Sequence, residues 1–116
     1  MQQEKEFFAA VLRLAQPHTS EDRELSTVER ETAIAALSEA QVQQTCDCGT
    51  CLTFDLLYLG EPINQDLPRT YLAASSKDGD ALVLAHLVGD KLATLEVAPT
   101  GGKLMQVLPA TDQLTP

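Results

Sequence analysis

The chain has no tryptophan, and its aromatic side chains are few: Phe7, Phe8, Phe54, Tyr58 and Tyr71 in 116 residues. Its core must therefore be aliphatic, and eighteen leucines supply the material. Basic residues are also scarce, with 8 Lys plus Arg against 17 Asp plus Glu and a formal net charge of -9. The excess is even along the chain: residues 1–45 carry eight acidic and four basic side chains, residues 46–116 nine and four. No basic stripe exists to capture nucleic-acid phosphates or anionic lipid heads, so nucleic acid and membrane are excluded as expected partners. The same acidity suits a basic protein partner.

Long apolar runs are missing too. The longest, Ala81 to Leu87, is interrupted by His86 and falls far short of the roughly 20 residues a spanning helix needs. Met1-Gln2-Gln3-Glu4-Lys5-Glu6 is polar and acidic, unlike the basic start and apolar stretch of a signal peptide. The three cysteines, an odd number within six positions, do not form the framework of a secreted disulfide protein. The expected compartment is the cytoplasm. What is present, 44% hydrophobic and 22% charged residues, describes one globular domain over residues 1–116.

Periodicity predicts a helix over about residues 3–15. Phe7, Phe8, Val11, Leu14 and Ala15 share one sector at about 3.6 residues per turn, and Pro17 stops the run. His18 to Arg23 reads as a polar connection. Ser26-Thr27-Val28-Glu29 has capping-box spacing and opens a second helix, expected over about 27–43, with Ile34 and Leu37 flanked by Ala33 and Ala40 on its buried face. From residue 51 the period changes to two. Leu52, Phe54, Leu56 and Tyr58 alternate with Thr53, Asp55 and Leu57, the pattern of a half-buried strand.

Further strands are expected at Arg69 to Ser75, Leu82 to Val88 and Lys91 to Val97, joined by turns at Asp78-Gly79 and Gly89-Asp90. A short fifth strand fits Lys103 to Leu108, and residues 109–116 read as an irregular tail. The expected fold class is α+β: two N-terminal helices packed on one face of a four- to five-stranded antiparallel meander sheet spanning about 51–108.

Cys46-Asp47-Cys48-Gly49-Thr50-Cys51-Leu52-Thr53-Phe54-Asp55 resembles the cysteine- and glycine-containing turn before the first strand of a group of small uncharacterised bacterial proteins. Gly89-Asp90-Lys91-Leu92-Ala93-Thr94-Leu95-Glu96-Val97 is similar to their downstream hairpin, and Leu108-Pro109 to their ending. The resemblance covers roughly residues 46–110. Here the cysteines follow C-x-C-x-x-C, where that group has a tighter C-x-C-x-C and a proline. The resemblance implies no activity.

The cysteine cluster is the most specific chemical feature. Thiolates at these separations can wrap one tetrahedral zinc ion, so Cys46, Cys48 and Cys51 are the candidate metal ligands. His18, His86, Asp47 or a group from another subunit are candidates for the fourth position. Cys48-Gly49-Thr50-Cys51 also has the spacing of a redox pair, which needs a helix amino terminus to lower a thiol pKa, whereas a strand is expected there. The favoured reading is that all three pack as small apolar residues at the seam between helices and sheet, with no cofactor; zinc binding or thiol redox chemistry is the alternative.

No constellation marks an enzyme. His86 shares strand parity with Leu82, Leu84 and Val88 and reads as a half-buried histidine. Ser75-Ser76 beside Lys77 lacks a nucleophile elbow, and Gly101-Gly102 lacks the spacing of a phosphate loop. Asp55 and Glu96 lie on strands and would meet across the sheet, where acid–base work or a solvated polar row is equally served. The function expected is a non-catalytic protein-interaction or regulatory module. Its interface would be a strand face carrying Thr94 and Glu96 beside Leu57 or Leu87, and self-pairing of an edge strand would give a homodimer.

Overall fold

The computed structural model describes residues 2–20, 22, 24–44, 52–58, 69–79, 81–99 and 111–116. In chain order the elements are helix α1 (Gln2–Leu14), strand β1 (Gln16–Pro17), helix α2 (Thr27–Ala36), and strands β2 (Ala40–Gln44), β3 (Leu52–Tyr58), β4 (Arg69–Ser76), β5 (Ala81–Val88), β6 (Lys91–Pro99) and β7 (Leu114–Thr115). The fold is α+β, with two helices and an antiparallel sheet. That sheet has the order β1-β4-β5-β6-β3-β2, with β7 also on β4.

Against the expected four or five strands there are seven among the described residues, and there the meander is confined to β4, β5 and β6. Strand β3 does not pair with β4; it crosses to the far side of β6, matching Phe54 with Leu95 and Asp55 with Thr94. The result is a Greek-key order. Strand β2 then folds back on β3, pairing Ala40 with Tyr58 and Val42 with Leu56. This corrects the second helix, expected to reach 43. It ends at Ala36, and one 3-10 turn, Leu37–Glu39, hands over to the strand.

The tail is not irregular throughout. Thr111–Gln113 makes a 3-10 turn, and Leu114 pairs with Ser76. The proposed strand at Lys103 to Leu108 lies outside the described residues.

Each helix is built as its sequence dictates. In α1 the buried residues are Phe7, Phe8, Val11 and Leu12, with Ala15 following, and the ring of Phe8 packs on Phe54 of β3 at a centroid separation of 5.5 Å. Helix α2 opens with the capping box: the Ser26 hydroxyl accepts from the Glu29 N–H at 3.1 Å, and the Glu29 carboxylate accepts from the Ser26 N–H at 3.1 Å. Its Ala33 and Leu37 are buried, while Val28 points outward, 75% exposed.

Arg30 lies on the same buried face. Its guanidinium donates to the carbonyls of Leu12 (3.0 Å), Ala15 (2.7 Å) and Leu25 (3.2 Å), and to the Glu24 carboxylate (3.1 Å). Carbonyls at a helix C-terminus lack helical partners and carry the negative end of the dipole, so a cation reaching over from α2 closes α1.

The sheet divides its side chains by parity. Leu52, Phe54, Leu56 and Tyr58 of β3, Leu72 and Ala74 of β4, Ala81, Val83, Ala85 and Leu87 of β5, and Leu92, Leu95 and Val97 of β6 join the helical residues in one core. Most of the opposite parity is only half-buried. A bulge places Ala93 as an extra residue between the pairs His86–Thr94 and Leu87–Leu92. Beyond it Leu87 stays in the core, while Val88, equally buried at 2% exposure, lies outside that cluster on the opposite parity. Leu87 therefore belongs to the core and not to the open strand face expected for it.

Candidate functional site

The open parity of the sheet carries the chemistry. One row runs Gln43, Asp55, Thr94, His86 and Tyr71 across β2, β3, β6, β5 and β4; the next runs Thr53, Glu96, Leu84 and Ala73. Asp55 and Glu96 thus lie in adjacent rows and not directly opposite each other. Asp55 instead accepts a hydrogen bond from the Thr94 hydroxyl at 2.9 Å.

At the β4 end of these rows a cleft of about 390 Å³ opens, lined by His18, Thr19, Asp22, Tyr71, Leu84 and His86. Ligand-binding clefts span about 300–1,000 Å³, so this one is large enough for a side chain or small molecule.

Backbone pairing builds its rim. Strand β1 pairs Pro17 with Leu72, and the His18 N–H donates to the Tyr71 carbonyl at 2.9 Å. The chain then turns, and Asp22 closes the turn. Its Oδ2 accepts from the N–H (2.9 Å) and hydroxyl (3.0 Å) of Thr19, and its Oδ1 from the Tyr71 N–H at 3.1 Å. Burial opposes ionisation of Asp22, but the Tyr71 and Thr19 donors and the neighbouring His18 outweigh it and hold the carboxyl below its ordinary value. Asp22 is therefore anionic and fixed in place.

The floor is aromatic. The rings of Tyr71 and His86 meet edge to face, with centroids 4.8 Å apart and planes at 73°. The His86 side chain is 16% exposed. Its Nε2 is covered and without a hydrogen bond, 3.7 Å from the Glu96 carboxylate. Burial depresses the His86 pKa, with Arg69 adding to it, while the charges of Glu96 and Asp55 oppose the shift without reversing it. At neutral pH the imidazole is uncharged. Glu96 remains 43% exposed and carries its charge outward. Among the described residues neither Asp22 nor Glu96 forms an ion pair with lysine or arginine.

The fold therefore brings together His18 and His86, candidates for a fourth metal ligand of which His86 also read as a half-buried strand histidine, and adds Asp22 and Tyr71, which the sequence did not single out. The Thr19-x-x-Asp22 spacing was the available signal, since a short acidic side chain readily caps such a turn. Cys46, Asp47, Cys48 and Cys51 lie outside the described residues. Among the described residues no three His, Cys, Asp or Glu side chains are grouped to hold a metal ion.

Ser76 has a structural role: its hydroxyl accepts from the Ala81 N–H at 3.0 Å and donates to Asp78 at 2.6 Å, fixing the β4–β5 turn. A second hollow, about 240 Å³, lies among Lys5, Glu6, Ala9, Ile34, Leu37 and Ser38. No helix among the described residues is long and apolar enough to cross a membrane. No family model matches the chain, and no curated protein or solved structure matches it either.

Proposed function

We propose that the chain is a non-catalytic protein-interaction module of the cytoplasm that meets a basic partner through the open face of its sheet. The observation that carries this reading is the composition of that face. Half-buried Leu57, Leu82, Leu84 and Tyr71 alternate with Asp55 and Glu96, carboxylates with no lysine or arginine paired to them among the described residues. Interfaces of this kind combine an apolar centre with charges that steer and select the partner. The test is capture of partners from the protein's own cells by the full chain. Leu84→Glu is expected to release them and Val28→Glu on α2 to retain them; partners held equally by the Leu84→Glu chain refute the reading.

A second reading, self-association, is favoured by β2. It ends the sheet among the described residues, and Ala40–Gln44 contains no charge and no proline, the devices that usually blunt an edge. Native mass spectrometry of the chain and of Val42→Pro tests it: a dimer lost on substitution supports edge pairing, and a monomeric chain refutes it.

A further inference from the structure

We infer that the cleft beside β4 seats an arginine side chain of the partner protein, its guanidinium stacked on Tyr71 and attracted by Glu96. This rests on the interaction reading and specifies its anchor. An anionic group is repelled, because Asp22, Asp55 and Glu96 are all on this side of the sheet, where among the described residues Arg69, two residues before Tyr71 on β4, is the cation acting on His86. A neutral apolar side chain would satisfy Leu84 and the rings but leave Glu96 unanswered.

A cation with a flat, weakly hydrated head and an aliphatic stem answers the lining residues Leu84 and Tyr71 and also Glu96, which stands outside the lining beside His86. The stem lies along Leu84, the plane stacks on the tyrosine face, and the N–H groups reach carboxylate. Lysine, a compact and strongly hydrated charge, gains less from the rings. Asp22, held by three donors, does not need to move to contribute its field.

The test uses the full chain and needs no partner. Aromatic proton–carbon spectra are followed while N-acetyl-arginine amide is added, with N-acetyl-citrulline amide as the uncharged isostere and N-acetyl-lysine amide as the second cation. The arginine probe is expected to move the Tyr71 and His86 ring signals to saturation, with citrulline and lysine each binding about threefold or more weakly. Glu96→Gln and Tyr71→Leu are expected to weaken the arginine probe by about threefold each, and Tyr71→Phe to leave it unchanged, since it keeps the ring.

Citrulline or lysine binding as tightly as arginine, unchanged affinity in Glu96→Gln, or ring signals that never move would each overturn the inference. Should Tyr71→Leu fail to fold, the citrulline arm and Glu96→Gln decide. An unresponsive cleft in a chain whose partners are still released by Leu84→Glu removes the anchor and leaves the interaction reading standing. A responsive cleft with partners indifferent to Leu84→Glu removes the interaction reading instead.

Discussion

Replacing Arg30 by methionine isolates the contact that joins the two helices. Methionine keeps the apolar stem and most of the volume, so packing between α1 and α2 is largely preserved. The carbonyls of Leu12, Ala15 and Leu25 lose their guanidinium donors, of which the closest approach is 2.7 Å to Ala15. A buried acceptor stripped of its partner costs about 1–3 kcal/mol. Three such groups, partly relieved by entering water, come to about 3–5 kcal/mol, a large share of the roughly 5–15 kcal/mol that holds a domain folded. With a urea slope of about 1–3 kcal/mol per molar, the midpoint of unfolding is expected to fall by about 2 M.

Glu24→Gln is the control. That carboxylate is 63% exposed, so its pairing with Arg30 is worth at most about 1 kcal/mol and the midpoint barely moves. Chemical denaturation followed by far-UV dichroism reads both variants. If Arg30→Met and Glu24→Gln shift the midpoint equally, the buried carbonyls are not what the guanidinium serves, and the account of how α1 is closed is wrong.

Ser26→Ala removes the hydroxyl that caps α2 and is expected to cost about 1 kcal/mol, read as a lower urea midpoint; no change would deny the box a role in stability. Tyr58→Phe deletes the buried phenol that donates to the Leu92 carbonyl at 2.9 Å and should cost about 1 kcal/mol. Burial, helped by the charge of Asp90, pushes that phenol's pKa up, so the native chain keeps the donor protonated in ordinary buffers, and an alkaline absorbance titration should find one tyrosine that resists ionisation.

His86 sets a pH dependence whose sign follows from its depressed folded pKa. The unfolded state takes up its proton near the ordinary histidine value, about 6.5, before the folded state does, so the stabilisation is full above that pH and is lost as pH falls through the folded pKa. His86→Gln should flatten the loss of stability as pH falls below about 6.5 relative to the native chain; parallel curves would refute it.

The parts of the fold that were legible in the sequence are those fixed locally. The α1 stripe, the Ser26–Glu29 box, the alternation of β3 and the two tight turns each depend on neighbours within a few positions. Gly79 and Gly89 have φ of +79° and +62°, as those turns require. Strand β2 was not legible. Ala-Gln-Val-Gln-Gln alternates over only four residues, with two apolar side chains, Ala40 and Val42, and suits a helix as well as a strand, so pairing with β3 decides it. The Greek-key order was hidden for the same reason, because nothing in β3 says which distant strand it will join.

The site was half legible. Strand parity identified His86 as half-buried, but the rim of the cleft depends on long-range pairing, including Asp22 reaching a backbone N–H 49 residues away. Arg30 had a signal that went unread: it stands three and seven positions before Ala33 and Leu37, on the stripe otherwise occupied by apolar residues.

The flank of β4 has a consequence for biosynthesis. It is sealed by two fragments, Gln16–Pro17 and Leu114–Thr115, that stand on either side of the other described strands in the sequence. The second fragment follows the other described strands in the sequence, so it is translated after them, and closing so long a span adds to the delay. Until then the nascent sheet presents an unsealed border at Ser75 and Ser76, the place where a crowded ribosome's products would be most apt to stick to one another. Leu114, tucked into the core at 5% exposure, is the clasp that ends this vulnerable interval.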